Sequence, residues 1–177
     1  MGFLLLSGGA PTLPAPAAAP TLPGYAVTLT AYNAVPGQTD DSPFETASGA
    51  YSNPEVVAAR SQDLAGKLPF GTIIELDGTD ISSEGTCGFS VVKHRIGYRV
   101  IADTMNARYT DRIDILLDTE ASYATTDKGM KNAAQILGIC KGTAIRVVGH
   151  VDINHIPKTQ AELKKIVESN PKALALK

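Results

Sequence analysis

Seven short apolar runs, near residues 26–32, 56–60, 72–77, 89–93, 98–103, 112–117 and 144–151, are separated by segments rich in glycine, proline, aspartate and serine. Runs of that length, rich in valine, isoleucine and threonine, read as β-strands, and the residues between them as turns. So many short strands expose many edges, and closing the sheet on itself removes them. The pattern therefore predicts a mainly β chain built as a small closed barrel. Sixteen glycines and eleven prolines in 177 residues agree with tight connections rather than long helices.

Two segments break the strand pattern. Between 127 and 137, Met130, Ala133, Ala134 and Leu137 recur at helical spacing, with Thr126 and Asp127 as candidate caps and Gly138 as the stop. A second helix is expected over 158–168, where Leu163, Ile166 and Val167 form one apolar edge. The chain divides into a tether over 1–25, a barrel over 26–152 and a helical tail over 153–177. The tether begins with an apolar run, Phe3 to Leu6, too short to span a bilayer, and continues as a Pro/Ala tract. It reads as an atypical export signal followed by an extended linker, which predicts a secreted or envelope protein without an integral membrane segment.

A net charge of −2, with Lys and Arg scattered, removes the electrostatic footprint of a nucleic-acid binder. Cys87 and Cys140 lack the spacing of a zinc site, and His94, His150 and His155 are too dispersed for a ligand set, so no metal or other cofactor is expected. A disulfide and two separate buried thiols are both open for the cysteines.

The acidic residues carry most of the chemical information. Asp103 ends the run at 98–103, and Asp114 stands between Ile113 and Ile115, so both are mounted on strands. A carboxyl kept from water by apolar neighbours gains proton affinity and can act as an acid near neutrality. The competing reading is an Asp facing solvent on the polar side of a half-buried sheet.

Five ordered segments bear on that choice: Thr28 to Tyr32, Gln38 to Gly49, Leu68 to Thr72, Ala102 to Asn106, and Arg112 to Ile115. Together they resemble the 3D domain, named for three aspartates, in the double-psi β-barrel group that includes membrane-bound lytic transglycosylase A and rare lipoprotein A. The resemblance covers about residues 27–152. It implies a six-stranded double-psi barrel, to which the helical spacing above adds one short inserted helix and a C-terminal helix. It also implies non-hydrolytic cleavage of the β-1,4 bond between N-acetylmuramic acid and N-acetylglucosamine in peptidoglycan, leaving a 1,6-anhydro end.

Carried over by position, Asp114 matches the family's catalytic acid/base and Asp103 its supporting aspartate, while Thr46 matches a groove threonine. Asp63 is the nearest candidate for the third aspartate, although its distance from Pro69 departs from the family pattern. Thr104-Met105-Asn106 replaces the Gly-Gly of the transglycosylase branch, which makes the groove bulkier and brings Asn106 and Arg108 within reach of substrate amides and carboxylates. Arg112 and Lys93 are the candidate cations, and Asp41, before Ser42-Pro43, reads as a turn former. The implied partner is the glycan strand of peptidoglycan, met by a monomer. A wall-binding module with the same barrel and no turnover is the alternative.

Overall fold

The computed structural model describes residues 23–39, 42–77, 87–126 and 128–169. The tether over 1–22, the acidic pair Asp40-Asp41, the proposed cap Asp127 and the last eight residues of the expected tail lie outside these. Six strands close into a barrel in the order β1 (Gly24–Tyr32), β5 (Arg112–Leu116), β2 (Val57–Arg60), β4 (Arg99–Thr104), β3 (Thr72–Asp77) and β8 (Cys140–His150). The pairs β1/β5 and β2/β4 run parallel, and the remaining neighbours run antiparallel. The mainly β, closed-barrel expectation is the observed fold.

Strand alternation divides the apolar residues into two bodies. Leu29, Ala58, Ile101, Ile113 and Ile115 join the first, which α2 (Ala133–Leu137) covers with Ala133 and Leu137. Val57, Ala59, Val100, Ala102 and Leu116 join the second, which α3 (Gln160–Ser169) covers with Leu163 and Val167. The C-terminal helix is thus packed onto the barrel. No helix among the described residues is long and apolar enough to cross a membrane.

Two expected elements differ. The run at 89–93 is not a strand: Phe89–Val92 forms the short helix α1, and a 3-10 turn follows over Lys93–Arg95. Its partner is helical, because the Gly88 N–H bonds Leu137 O and a side chain at Gly88 would meet the Ile136 carbonyl. Cys87 and Cys140 form a disulfide beside this contact, which settles the question the spacing left open. The segment 127–137 is not one helix either. β6 (Ser122–Thr125) and β7 (Gly129–Asn132) form a hairpin, and only then does α2 begin, capped by the Asn132 side chain on Ala134 N–H. Met130 is exposed on that hairpin rather than buried. Gly138 does stop α2, with φ 64°.

The Pro69-Phe70-Gly71-Thr72 element sits where barrel strands cross. Gly71 N–H bonds Ile101 O on β4, and its carbonyl accepts from Val151 N–H. With φ 89° and the Val151 carbonyl where a Cβ would stand, only glycine fits.

Arg99 is fully buried at the start of β4 and forms no salt bridge among the described residues. Its guanidinium donates instead to the carbonyls of Ile96, Pro54, Leu116 and Arg95 at 2.6–3.0 Å and to that of Val57 at 3.3 Å. Burial pushes its pKa down to about 9. One side chain therefore ties strands β2, β4 and β5 to the turn preceding β4.

Candidate functional site

Ala59, in the middle of β2, is the residue about which the site is arranged. It pairs with Asp114 on β5 on one side and with Asp103 on β4 on the other. The second pairing depends on a register shift: Ala58 faces Ile101, but Ala59 faces Asp103, so Ala102 is the extra residue of a bulge. Without the bulge, Asp103 would move one position and point to the opposite side of the sheet. With it, both carboxylates share a face, two strand spacings apart, or about 10 Å between backbones.

Asp114 is bonded across the parallel β1/β5 pair. Thr30 stands opposite it in register and its hydroxyl donates to Asp114 Oδ1 at 2.8 Å. Burial raises the Asp114 pKa from the ordinary carboxyl range to about 6, and the charge of Asp103 adds to the rise. The Thr30 hydrogen bond and the Arg112 charge oppose it without cancelling it. The apolar neighbours Ile113 and Ile115 face the other way, into the first core body, so the desolvation arises on the side that Asp114 shares with Ala59 and Leu116.

Asp103 is held differently. Its Oδ2 accepts from the Tyr32 hydroxyl at 2.8 Å, and its Oδ1 accepts from the backbone N–H groups of Ala47 and Thr104 at 2.9 and 2.8 Å. Tyr32 is itself buried, and burial together with the Asp103 charge raises its pKa, so the phenol remains a donor. Ala47 arrives from a tight loop closed by Thr46 N–H on Ala50 O, and the same loop docks on β4 through Ser48 N–H to Ala102 O.

Both acids open into one groove of about 980 Å³, whose walls also include Thr46, Asn106, Arg108 and Tyr109. Thr46 is buried and its hydroxyl bonds Ala50 O at 3.0 Å and lies 3.0 Å from the Ser48 hydroxyl, so it shapes the loop while lining the groove. Asn106 is exposed and its Oδ1 accepts from Arg108 N–H. Met105 is a groove wall and a member of the second core body.

Three expected site residues lie elsewhere. Asp63 is exposed and does not line the groove; its Oδ2 accepts the Asp111 N–H at 3.0 Å, and hydrogen bonds from Ser61 and Asp111 lower its pKa. It pins Asp111, which has φ 47°, at the entry to β5. Arg112 also lies outside the groove lining, with its guanidinium 4.6 Å from the Tyr109 ring centroid. Lys93 lines a second depression of about 860 Å³, with Phe89 and Tyr98, between α1, β3 and α3.

Thr30 and Tyr32, which hold the two acids, had no assigned role. A signal was present: they are two apart in a strand and so share a face. Among the described residues, no group of three or more His, Cys, Asp or Glu side chains is placed to hold a metal. Compared with protein-family models and with curated protein sequences, the chain matched none.

Proposed function

We propose that this protein is a peptidoglycan-cleaving lytic transglycosylase of the 3D type, with Asp114 as its acid/base. The observation that carries the reading is the pairing of a buried Asp114, with a pKa near 6, and a three-fold hydrogen-bonded Asp103 in one groove. The six-stranded barrel with two parallel pairs accords with the double-psi topology of that group.

In the proposed reaction, protonated Asp114 gives its proton to the glycosidic oxygen as the C1–O bond breaks. The C6 hydroxyl of the same muramyl sugar closes onto C1, and the Asp114 carboxylate takes the hydroxyl proton. No water is consumed and the acid is regenerated. One carboxyl suffices, whereas hydrolytic glycosidases need a second group for water or a covalent intermediate. Asp103, fixed by Tyr32, Ala47 and Thr104, supplies negative charge near the developing oxocarbenium ion and helps keep Asp114 protonated. The Cys87–Cys140 disulfide fits an oxidising, extracytoplasmic compartment.

The test is incubation with purified cell-wall sacculi, followed by mass spectrometry of the soluble products. Anhydro-muropeptides from the native protein, and none from Asp114→Asn, are expected. Native protein that pellets with sacculi but releases nothing would instead be the wall-binding module.

A further inference from the structure

The loop joining β4 to β5 concentrates positive charge around a single aromatic ring. The guanidinium carbon of Arg108 lies 4.8 Å from the Tyr109 ring centroid and that of Arg112 lies 4.6 Å from it. Each cation is attracted by the ring, yet the two repel one another. Among the described residues the ion pairs are Arg146–Glu75, His155–Asp152 and Lys164–Glu168, so neither arginine forms a salt bridge with a described carboxylate, although the Arg112 charge is felt at Asp114. Arg112 Nε is buried with no acceptor among the described residues.

The cluster is also held in place. Asp63 fixes Asp111 in its left-handed conformation, Thr28 N–H bonds Asp111 O, and Arg112 N–H bonds the Ser61 hydroxyl. Arg108 Nη2 donates to the Tyr109 hydroxyl at 2.8 Å. Arg108 and Tyr109 both line the groove that contains Asp103 and Asp114. A guanidinium beside an aromatic ring keeps donors on its edge, and that edge matches the two oxygens of a carboxylate.

We propose that Arg108, Tyr109 and Arg112 form an anion subsite at the groove that binds a carboxylate on the ligand. Resting on the function proposed above, that group is a free carboxylate of the peptides borne by wall glycan. The subsite then favours strands with acidic, unamidated peptides and sets where along a strand Asp114 meets the glycosidic bond.

The experiment needs no turnover. The full chain, isotopically labelled, is titrated with a short wall peptide carrying free carboxylates, with the same peptide amidated at those carboxylates, and with inorganic phosphate, while arginine Nε–H and Tyr109 resonances are followed by NMR. The acidic peptide should shift these resonances and bind about tenfold more tightly than the amidated one, the size expected for one charge-assisted contact. Arg108→Gln and Arg112→Gln should each remove most of that preference, and Arg112→Lys should restore only part of it, since the charge returns without the fork. Equal binding of both peptides, tighter binding of phosphate than of the acidic peptide, or unchanged preference in both Gln variants would overturn the proposal. A positive titration with no cleavage of sacculi would leave the subsite standing and reject the catalytic reading; cleavage without a peptide preference would do the reverse.

Discussion

Asp103 and Asp114 stand on the same face of the barrel, each in register with Ala59 on the strand between them. The small side chain leaves the space above β2 open, so the two acids are not separated by a wall. Their environments differ nonetheless: Asp114 is desolvated with one hydroxyl donor, and Asp103 receives three donors. Two carboxyls whose surroundings differ in this way are suited to different roles.

The raised pKa of Asp114 sets the pH dependence of activity and of stability. If the protonated form starts the reaction, turnover falls about tenfold per pH unit above pH ~6. Stability follows from linkage. The folded carboxyl binds its proton more tightly than the unfolded one, so this contribution is fully present below pH ~4 and is lost as pH rises through ~6. At pH 7 the ionised Asp114 therefore costs the fold on the order of 2–3 kcal/mol. Asp114→Asn keeps an acceptor for Thr30 and removes that cost, so its melting temperature at pH 7 should exceed that of the native protein. A calorimetric comparison at pH 4 and pH 7 checks this, with the difference between the two proteins shrinking at the lower pH.

Tyr32→Phe removes the phenol that bonds Asp103 Oδ2 and leaves that oxygen facing a buried ring edge. A loss of about 1–2 kcal/mol in denaturant unfolding is expected, from one missing hydrogen bond to a charged group. Turnover should fall by about an order of magnitude, with KM changed less than kcat, because Asp103 acts on the reacting centre and not on the remote sugars.

Arg99→Met tests the carbonyl cage. Methionine fills much of the volume but leaves the carbonyls of Ile96, Pro54, Val57, Leu116 and Arg95 without their shared donor. Urea unfolding should show a loss of about 3 kcal/mol or more. The lysine variant should recover only part of it, because an ammonium cannot reach carbonyls on both sides at once.

The Cys87–Cys140 disulfide closes a sequence separation of 53 residues and joins the start of α1 to the start of β8. Reduction, or replacement of both cysteines by serine, should lower stability by about 2–5 kcal/mol in thermal unfolding while leaving the groove, which neither cysteine nor α2 lines, active at low temperature.

How much of this was legible in the chain differs by element. The run at 72–77 is the strand β3 without change, and 112–117 is β5 to within a residue, because Thr-Ile-Ile-Glu-Leu and Arg-Ile-Asp-Ile-Leu carry strong strand preference in a pattern that burial on both faces preserves. Phe-Ser-Val-Val at 89–92 is also rich in strand-favouring residues yet is helical, since close packing of Gly88 on α2 and the neighbouring disulfide outweigh a four-residue preference. Met130 imitated a helix face, but Gly129, with φ 68°, turns the chain into a hairpin before the helix starts.

At the site, the candidacy of both acids could be read from their strands, whereas their shared face could not. It depends on the bulge at Ala102, and no residue type there announces an extra position. Asp63 was expected at the groove through the family resemblance, against its spacing, and Arg112 as a candidate cation, but Asp63 supports the left-handed backbone at Asp111 and Arg112 lies against the Tyr109 ring.

The central claim, that Asp114 drives an intramolecular closure rather than hydrolysis, is tested most directly by digesting sacculi in water enriched in heavy oxygen and weighing the new sugar ends. The account predicts anhydro ends that carry no heavy oxygen, formed by the native protein and absent with Asp114→Asn. Reducing ends labelled with heavy oxygen, or anhydro ends formed equally well by the Asn variant, would contradict it.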